Sequence, residues 1–142
     1  MKLEGEDKLL RIFREMPEIF TDRKLREVHK RAAQPLVYRM HRLAPVGRTG
    51  NLADSIGIEN TKEDLGGIRV GARRKGGFKG FAAHLVEFGT KDRYTKRSFA
   101  YRGKMKAEPF IEPATDQTLP EVEKNIVKEE AREVEKFLKR RV

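Results

Sequence analysis

A chain of 142 residues without a single cysteine can hold neither a disulfide framework nor a cysteine-ligated zinc site. Its length fits one domain with a real core, yet 37% apolar against 38% charged residues implies that some long segments stay outside that core. The net charge is +10, and no run of ~18 apolar residues or apolar leader is read, so a soluble protein made in the cytoplasm is expected, not a membrane-spanning one.

Residues 6–16 read as a short helix with Leu9, Leu10, Ile12 and Phe13 on or near one side. It ends near Pro17, because proline lacks the amide donor that a helix interior needs. Residues 1–20 are expected to form an N-terminal arm, and residues 21–142 a single α+β domain. Thr21 is a good N-cap, and from it Leu25, Val28, Ala32, Leu36, Met40 and Leu43 step by three or four along one helical stripe. Pro35 inside that stripe requires a kink or a fresh start, and Ala44-Pro45 closes the helix.

Ile56 and Ile58, then Ile68 and Val70, alternate with polar residues or glycine, the period of half-buried strands. Glu63-Asp64-Leu65-Gly66-Gly67 supplies the turn between them. Phe81 to Phe88 is ambiguous: Phe81, Leu85 and Phe88 fit helical spacing, and Gly89-Thr90 ends either kind of element. Residues 90–107 carry many cations, Gly103, Tyr94, Phe99 and Tyr101 without a clean period, and are expected to be a long basic loop or hairpin that orders on assembly. After Pro113, Leu119, Val122, Ile126, Val134, Phe137 and Leu138 outline a C-terminal amphipathic helix, acidic early and basic late, as the helix dipole favours. Helix, strands, then helix without a repeating strand-helix-strand unit predicts an α+β fold: a long N-terminal and a C-terminal helix on a small antiparallel or mixed sheet.

The positive charge is concentrated. Residues 69–106 hold twelve Lys or Arg against only Glu87 and Asp92, while the rest of the chain balances. Such a block favours a polyanion or an acidic protein surface, although a solvated loop has the same composition. The candidate contacts are Arg73, Arg74, Lys75, Lys79, Lys96, Arg97, Arg102, Lys104 and Lys106, interleaved with Tyr94, Phe99 and Tyr101. No helix-turn-helix or zinc-finger pattern accompanies them, so sequence-specific reading is not expected.

Catalytic patterns are lacking. The three histidines, His29, His41 and His84, have neither a third ligand nor a nucleophile at a recognisable spacing. Gly47-Arg48-Thr49-Gly50 lacks the Gly-Lys-Ser or Gly-Lys-Thr that a Walker loop needs to reach phosphates and magnesium. No catalytic residue, metal site or cofactor is therefore assigned.

Three short segments combine Gly or Pro with an apolar anchor. The first, Ala44 to Ile56, contains Pro45, Thr49, Gly50, Asn51, Leu52 and Ser55; the second is His84-Leu85-Val86-Glu87-Phe88-Gly89-Thr90; the third, Glu108 to Ala114, contains Pro109, Phe110, Pro113 and Ala114. In the first, Gly50 is expected at positive φ, Thr49 or Asn51 bonds the backbone, and Leu52 enters the core. In the third, Pro109 and Pro113 set an extended approach to the last helix and Phe110 anchors it. This is a scaffold signature. Over residues ~20–140 it resembles the head-tail joining, or tail-completion, family of long-tailed bacteriophages, the gene-product-ten-like family of siphophages, with the arm outside the resemblance.

The resemblance implies a virion structural protein at the neck that acts by binding, not catalysis, and favours a short helix running into a strand at Phe81–Phe88. It implies a ring, six copies with twelve as the alternative, joining the head connector or adaptor to the tail tube or tail terminator. Within that reading, the basic residues 73–106 are expected to reach toward the lumen or an adjacent ring, their charge pairing with acidic neighbours or passing DNA. A free-standing basic nucleic-acid-binding module is the rival reading of the same charge.

Overall fold

The computed structural model describes residues 6–62 and 66–141. Among them, six α-helices and a two-stranded antiparallel sheet run in the order α1 (Glu6–Glu15), α2 (Asp22–Ala32), α3 (Gln34–Leu43), α4 (Asn51–Ser55), β1 (Ile56–Asn60), β2 (Ile68–Ala72), α5 (Ala83–Phe88) and α6 (Ile111–Arg141). The fold class is α+β, as the change from helical to alternating periodicity requires. The described residues divide into two compact units. One draws on residues 6–34, 60–62, 66–69 and 121–141, the other on Pro35–Glu59 and Val70–Pro120.

In the first unit α1 gives way to a 3₁₀ turn, Met16–Phe20, at Pro17. Ile12 and Ile19 of this N-terminal segment are buried with Phe137 of α6, and Met16, Val134 and Leu138 pack against them. Leu9, Leu10 and Phe13 are exposed, so the expected apolar side of α1 is split, with only Ile12 turned into the core. Phe137→Ala is expected to remove ~3 to 5 kcal/mol of stability, the range for a buried aromatic truncated to alanine, read as an earlier midpoint in chemical denaturation.

Thr21 caps α2, its Oγ1 accepting the Lys24 amide at 3.4 Å. The α2 stripe is buried at Val28 and Ala32. Helix α3 starts anew at Gln34, which places Pro35 in its first turn, where a missing amide donor breaks no helical bond. The expected inter-strand turn falls partly at residues 63–65, outside the described residues; Gly66 lies within them. Its amide donates to Asp22 Oδ1 at 2.7 Å, and its carbonyl lies 2.8 Å from His29 Nδ1. Gly66 has φ +75°, and a Cβ there would lie 2.5 Å from the Leu25 Cβ, so the turn lies against α2 only because the residue is glycine.

The C-terminal half of α6 meets α2 through charge. Arg31 reaches Glu129 at 3.0 Å and Glu133 at 3.2 Å, and Lys136 reaches Glu133 at 2.9 Å. The Gly66 amide, helped by Arg26, holds the Asp22 carboxyl below its ordinary range against some burial; Lys136, then Arg31, does the same for Glu133.

In the second unit α3 buries Leu36 and Met40, and Ala44 ends it. The antiparallel register follows from two bonds, the Thr61 amide to the Gly67 carbonyl in the first unit and the Arg73 amide to the Ser55 carbonyl in the second. Phe81 and Phe88 are exposed, so the apolar spacing read at Phe81–Phe88 marks the wrong face. The residues that α5 buries are Ala83, Val86 and Glu87.

Helix α6 begins at Ile111, two residues ahead of Pro113. Its buried positions are Ala114, Thr118, Val122 and Phe137, while Leu119 is 44% exposed. The sequence stripe is therefore one position out at Leu119. A threonine satisfies the inner place because its Oγ1 donates to the Ala114 carbonyl at 2.7 Å and needs no other partner. Pro120 lies inside α6, so the Asp116 carbonyl receives no amide from that position.

Candidate interaction surface: a basic hairpin

The second motif organises the surface that follows it. Glu87 is buried at the end of α5, and its Oε2 accepts the amides of Phe110 at 2.8 Å and Ile111 at 2.9 Å while its Oε1 accepts that of Glu112 at 3.0 Å. A helix leaves its first four amides without internal acceptors. Here one carboxylate takes three, and the next residue is Pro113, which has no amide to satisfy. Burial works to raise the Glu87 pKa, but the amides of Ile111, Glu112 and Phe110 outweigh it and hold the carboxyl below its ordinary 4.5. Phe110 and Ala114, both 0% exposed, seat the cap in the core.

Gly89 then turns the chain out at φ +72°. A Cβ there would sit 2.8 Å from the Met105 carbonyl and 2.9 Å from the Ala107 amide nitrogen, so only glycine lets the outgoing and returning strands approach. Thr90 locks the base: its amide donates to the Met105 carbonyl at 2.9 Å and its Oγ1 accepts the Met105 amide at 2.8 Å.

Between these points residues 90–105 form an ordered hairpin. The Arg93 amide donates to Gly103 at 3.0 Å, the Arg102 amide to Arg93 at 2.7 Å and the Thr95 amide to Ala100 at 3.0 Å. Tyr94 and Tyr101 face each other across an antiparallel bridge with ring centroids 5.5 Å apart, tilted by 56°. The expected helix running into a strand is thus a helix running into a hairpin with one isolated bridge.

Lys96, Arg97, Arg102 and Lys104 are brought together on this element, Lys106 follows its base, and all five are exposed. Lys91 and Arg93, missing from the sequence list, stand with them. The mirrored order Arg93-Tyr94 and Tyr101-Arg102 around the tip was the signal that could have placed Arg93. None of these seven cations has a carboxylate partner among the described residues. In the first unit Arg11, Arg23, Arg26, Arg31, Arg132, Lys136, Lys139 and Arg141 have such partners, while Lys8, Arg14, Lys124, Lys128 and Arg140 have none among the described residues.

The other candidates lie elsewhere. Arg74, Lys75 and Lys79 are exposed on the turn after β2. Arg73 belongs to the scaffold instead of that surface: its Nε donates to the Ser55 carbonyl at 3.0 Å, and its guanidinium lies 3.5 Å from the centroid of the Phe78 ring. A Cβ on Gly57 would come within 2.6 Å of that guanidinium, and one on Gly80 within 2.5 Å of the Arg73 carbonyl. Arginine 73 thus closes the end of α4 and fixes the turn that follows.

The first motif builds α4. Gly50 has φ +65° and precedes the helix, and its amide donates to Gly47 at 3.2 Å. Thr49 and Pro45 stay at least partly exposed, and Asn51 opens the helix. Leu52 is half-buried, whereas Ala53, Ser55 and Ile56 fill the core, and the Ser55 hydroxyl donates to the Leu52 carbonyl at 2.6 Å. Gly50→Val is expected to cost about 1 kcal/mol or more, since a β-branched residue resists positive φ, seen as a lower melting temperature. In the second and third motifs Phe88 and Pro109 are exposed and Pro113 lies inside the first turn of α6, not ahead of it. Of the histidines, His41 and His84 are exposed, and His29 lies between Gly66 and α6, with its Nε2 3.6 Å from Glu130 Oε1.

No curated protein and no solved structure matches the chain. A family model does, over residues 7–89, a span that takes in α1, which the sequence reading left outside, and stops before the hairpin and α6. With more than half of its residues matched, and the first two motifs nearly whole within the match, the chain belongs to the HK97-gp10-like family, described as "Bacteriophage HK97-gp10, putative tail-component".

Proposed function

We propose that this chain is a structural subunit of the head-tail joint, assembling into a ring that joins the head connector to the tail tube and lets DNA pass. The single observation that carries the reading is membership of a phage tail-component family. Its motif residues support a role in binding without catalysis: Gly50, Glu87, Gly89 and Phe110 hold the backbone, and the hairpin that follows them presents exposed cations without carboxylate partners among the described residues. A ring of six, or of twelve, is the form that closes by rotation through heterologous contacts. Its neighbours are a head connector or adaptor on one side and a tail tube or terminator protein on the other, and the mature location is the virion neck.

Electron microscopy of particles carrying a labelled copy of this chain tests the reading. Label confined to the head-tail joint is the expected result. Label along the tail would keep the family and overturn the joint. Absence from virions would overturn both and favour the free-standing nucleic-acid-binding module, which the unpaired cations of the hairpin also suit.

A further inference from the structure

We propose that the hairpin tip is a binding site for single-stranded nucleic acid, its rings stacking on unpaired bases while the flanking cations contact the phosphates. The inference goes beyond the joint reading: the exposed rings and cations of the hairpin carry it, whatever the chain's place in the virion.

The geometry carries it in three steps. First, Phe99 is 79% exposed and is the one non-glycine residue at positive φ, +49°, among the described residues. Its amide donates to the Thr95 carbonyl at 3.1 Å, so the hairpin itself holds a bulky side chain in a conformation it disfavours and points the ring at solvent. Second, Tyr94 and Tyr101, each 57% exposed, add a tilted pair of rings on the same hairpin, steadied by the Tyr101 hydroxyl 3.3 Å from Asp92. Third, each ring has a cation next to it in sequence or with one residue between: Arg93 by Tyr94, Arg97 two positions before Phe99, Arg102 by Tyr101.

That alternation suits a strand in which bases alternate with phosphates. Base-ring stacking is sequence-tolerant, since every base has a π face. In a duplex the bases already stack on one another and present only edges in the grooves, which leaves exposed rings nothing to do unless they wedge the steps apart. An acidic protein surface would match the charge but would have to supply apolar cover for three separate rings. The observations therefore favour an unpaired strand over a duplex or a protein.

The test is fluorescence anisotropy of the full chain with a labelled mixed-sequence DNA single strand, with its duplex, and with labelled polyglutamate, each across a salt series. The single strand is expected to bind about ten-fold tighter than the duplex, the size of one stacked base. Phe99→Ala is expected to erase that preference without altering the melting curve, and Phe99→Tyr to retain it. Lys96→Gln with Arg97→Gln should weaken both DNA forms and lower the single-strand salt slope by ~1.4, two phosphate contacts. Equal or tighter duplex binding overturns the proposal, as does a Phe99→Ala variant that keeps the preference. Binding of polyglutamate with no binding of DNA also overturns it and assigns the hairpin to an acidic protein neighbour. Localisation on virions is a separate measurement, so failure here leaves the joint reading standing, and a chain that binds single strands yet is absent from virions reverses that.

Discussion

Glu87→Ala is expected to destabilise the protein by about 3 kcal/mol or more, the larger of two effects centred on the head of α6. Three buried or half-buried amides, those of Phe110, Ile111 and Glu112, lose their only acceptor. A hydrogen bond to a charged group contributes ~1.5 to 3 kcal/mol, and because the three share one carboxylate the total falls short of their sum. The anion also faces the positive end of a 31-residue helix, which adds to its effect. Glu87→Gln keeps one acceptor oxygen but turns an NH2 toward an amide, so it should lie between wild type and Glu87→Ala in urea denaturation.

The pH dependence gives this prediction a sign. The folded Glu87 carboxyl is held below its ordinary 4.5, so its contribution is complete above that value and disappears as the pH falls through the lowered folded pKa. The gap between wild type and Glu87→Ala should therefore be full near neutrality and narrow on acidification below pH 4.5. Asp22 and Glu133, also held low, weaken the first unit in the same direction in both proteins, so they leave the gap between them unchanged. A gap that stays constant down to strong acid would show that the carboxylate does not act as the cap.

Phe110→Ala is the second. The ring is fully buried, and truncating it is expected to cost ~3 to 5 kcal/mol through lost transfer energy and the cavity left behind. Phe110→Leu refills most of that volume and should recover more than half. Because Phe110 precedes α6 and its amide is one of the three on Glu87, the double variant Glu87→Ala with Phe110→Ala should lose less than the two singles combined. Strict additivity in thermal or chemical melts would separate the packing of the ring from the cap.

Local chemistry was legible wherever a residue type leaves the backbone few choices. Thr21, the restart at Pro35 and the positive φ of Gly50 follow from side-chain hydrogen bonding, a missing amide or a missing Cβ, and the strands at Ile56 and Ile68 from period-two spacing of β-branched residues. Face assignments failed where apolar character was the only guide. Phe88 and Leu119 point outward because their helices bury Glu87 and Thr118, polar residues whose groups find internal acceptors or donors. Hydrophobic spacing gives no sign of a polar residue that is satisfied inside.

By itself, then, the sequence determined the fold class, the family and the concentration of charge in one segment, because these depend on residue identity and order along the chain. Only the tertiary structure decided that Glu87 caps a helix twenty-odd residues away, that Arg73 is withdrawn from the basic set into the end of α4, and that the cations of residues 91–106 gather on a ringed hairpin without carboxylate partners among the described residues. Those are matters of which groups meet across long stretches of chain. A carboxylate or a guanidinium has the same charge whether it is partnered or free, and only its neighbours in space tell the two apart.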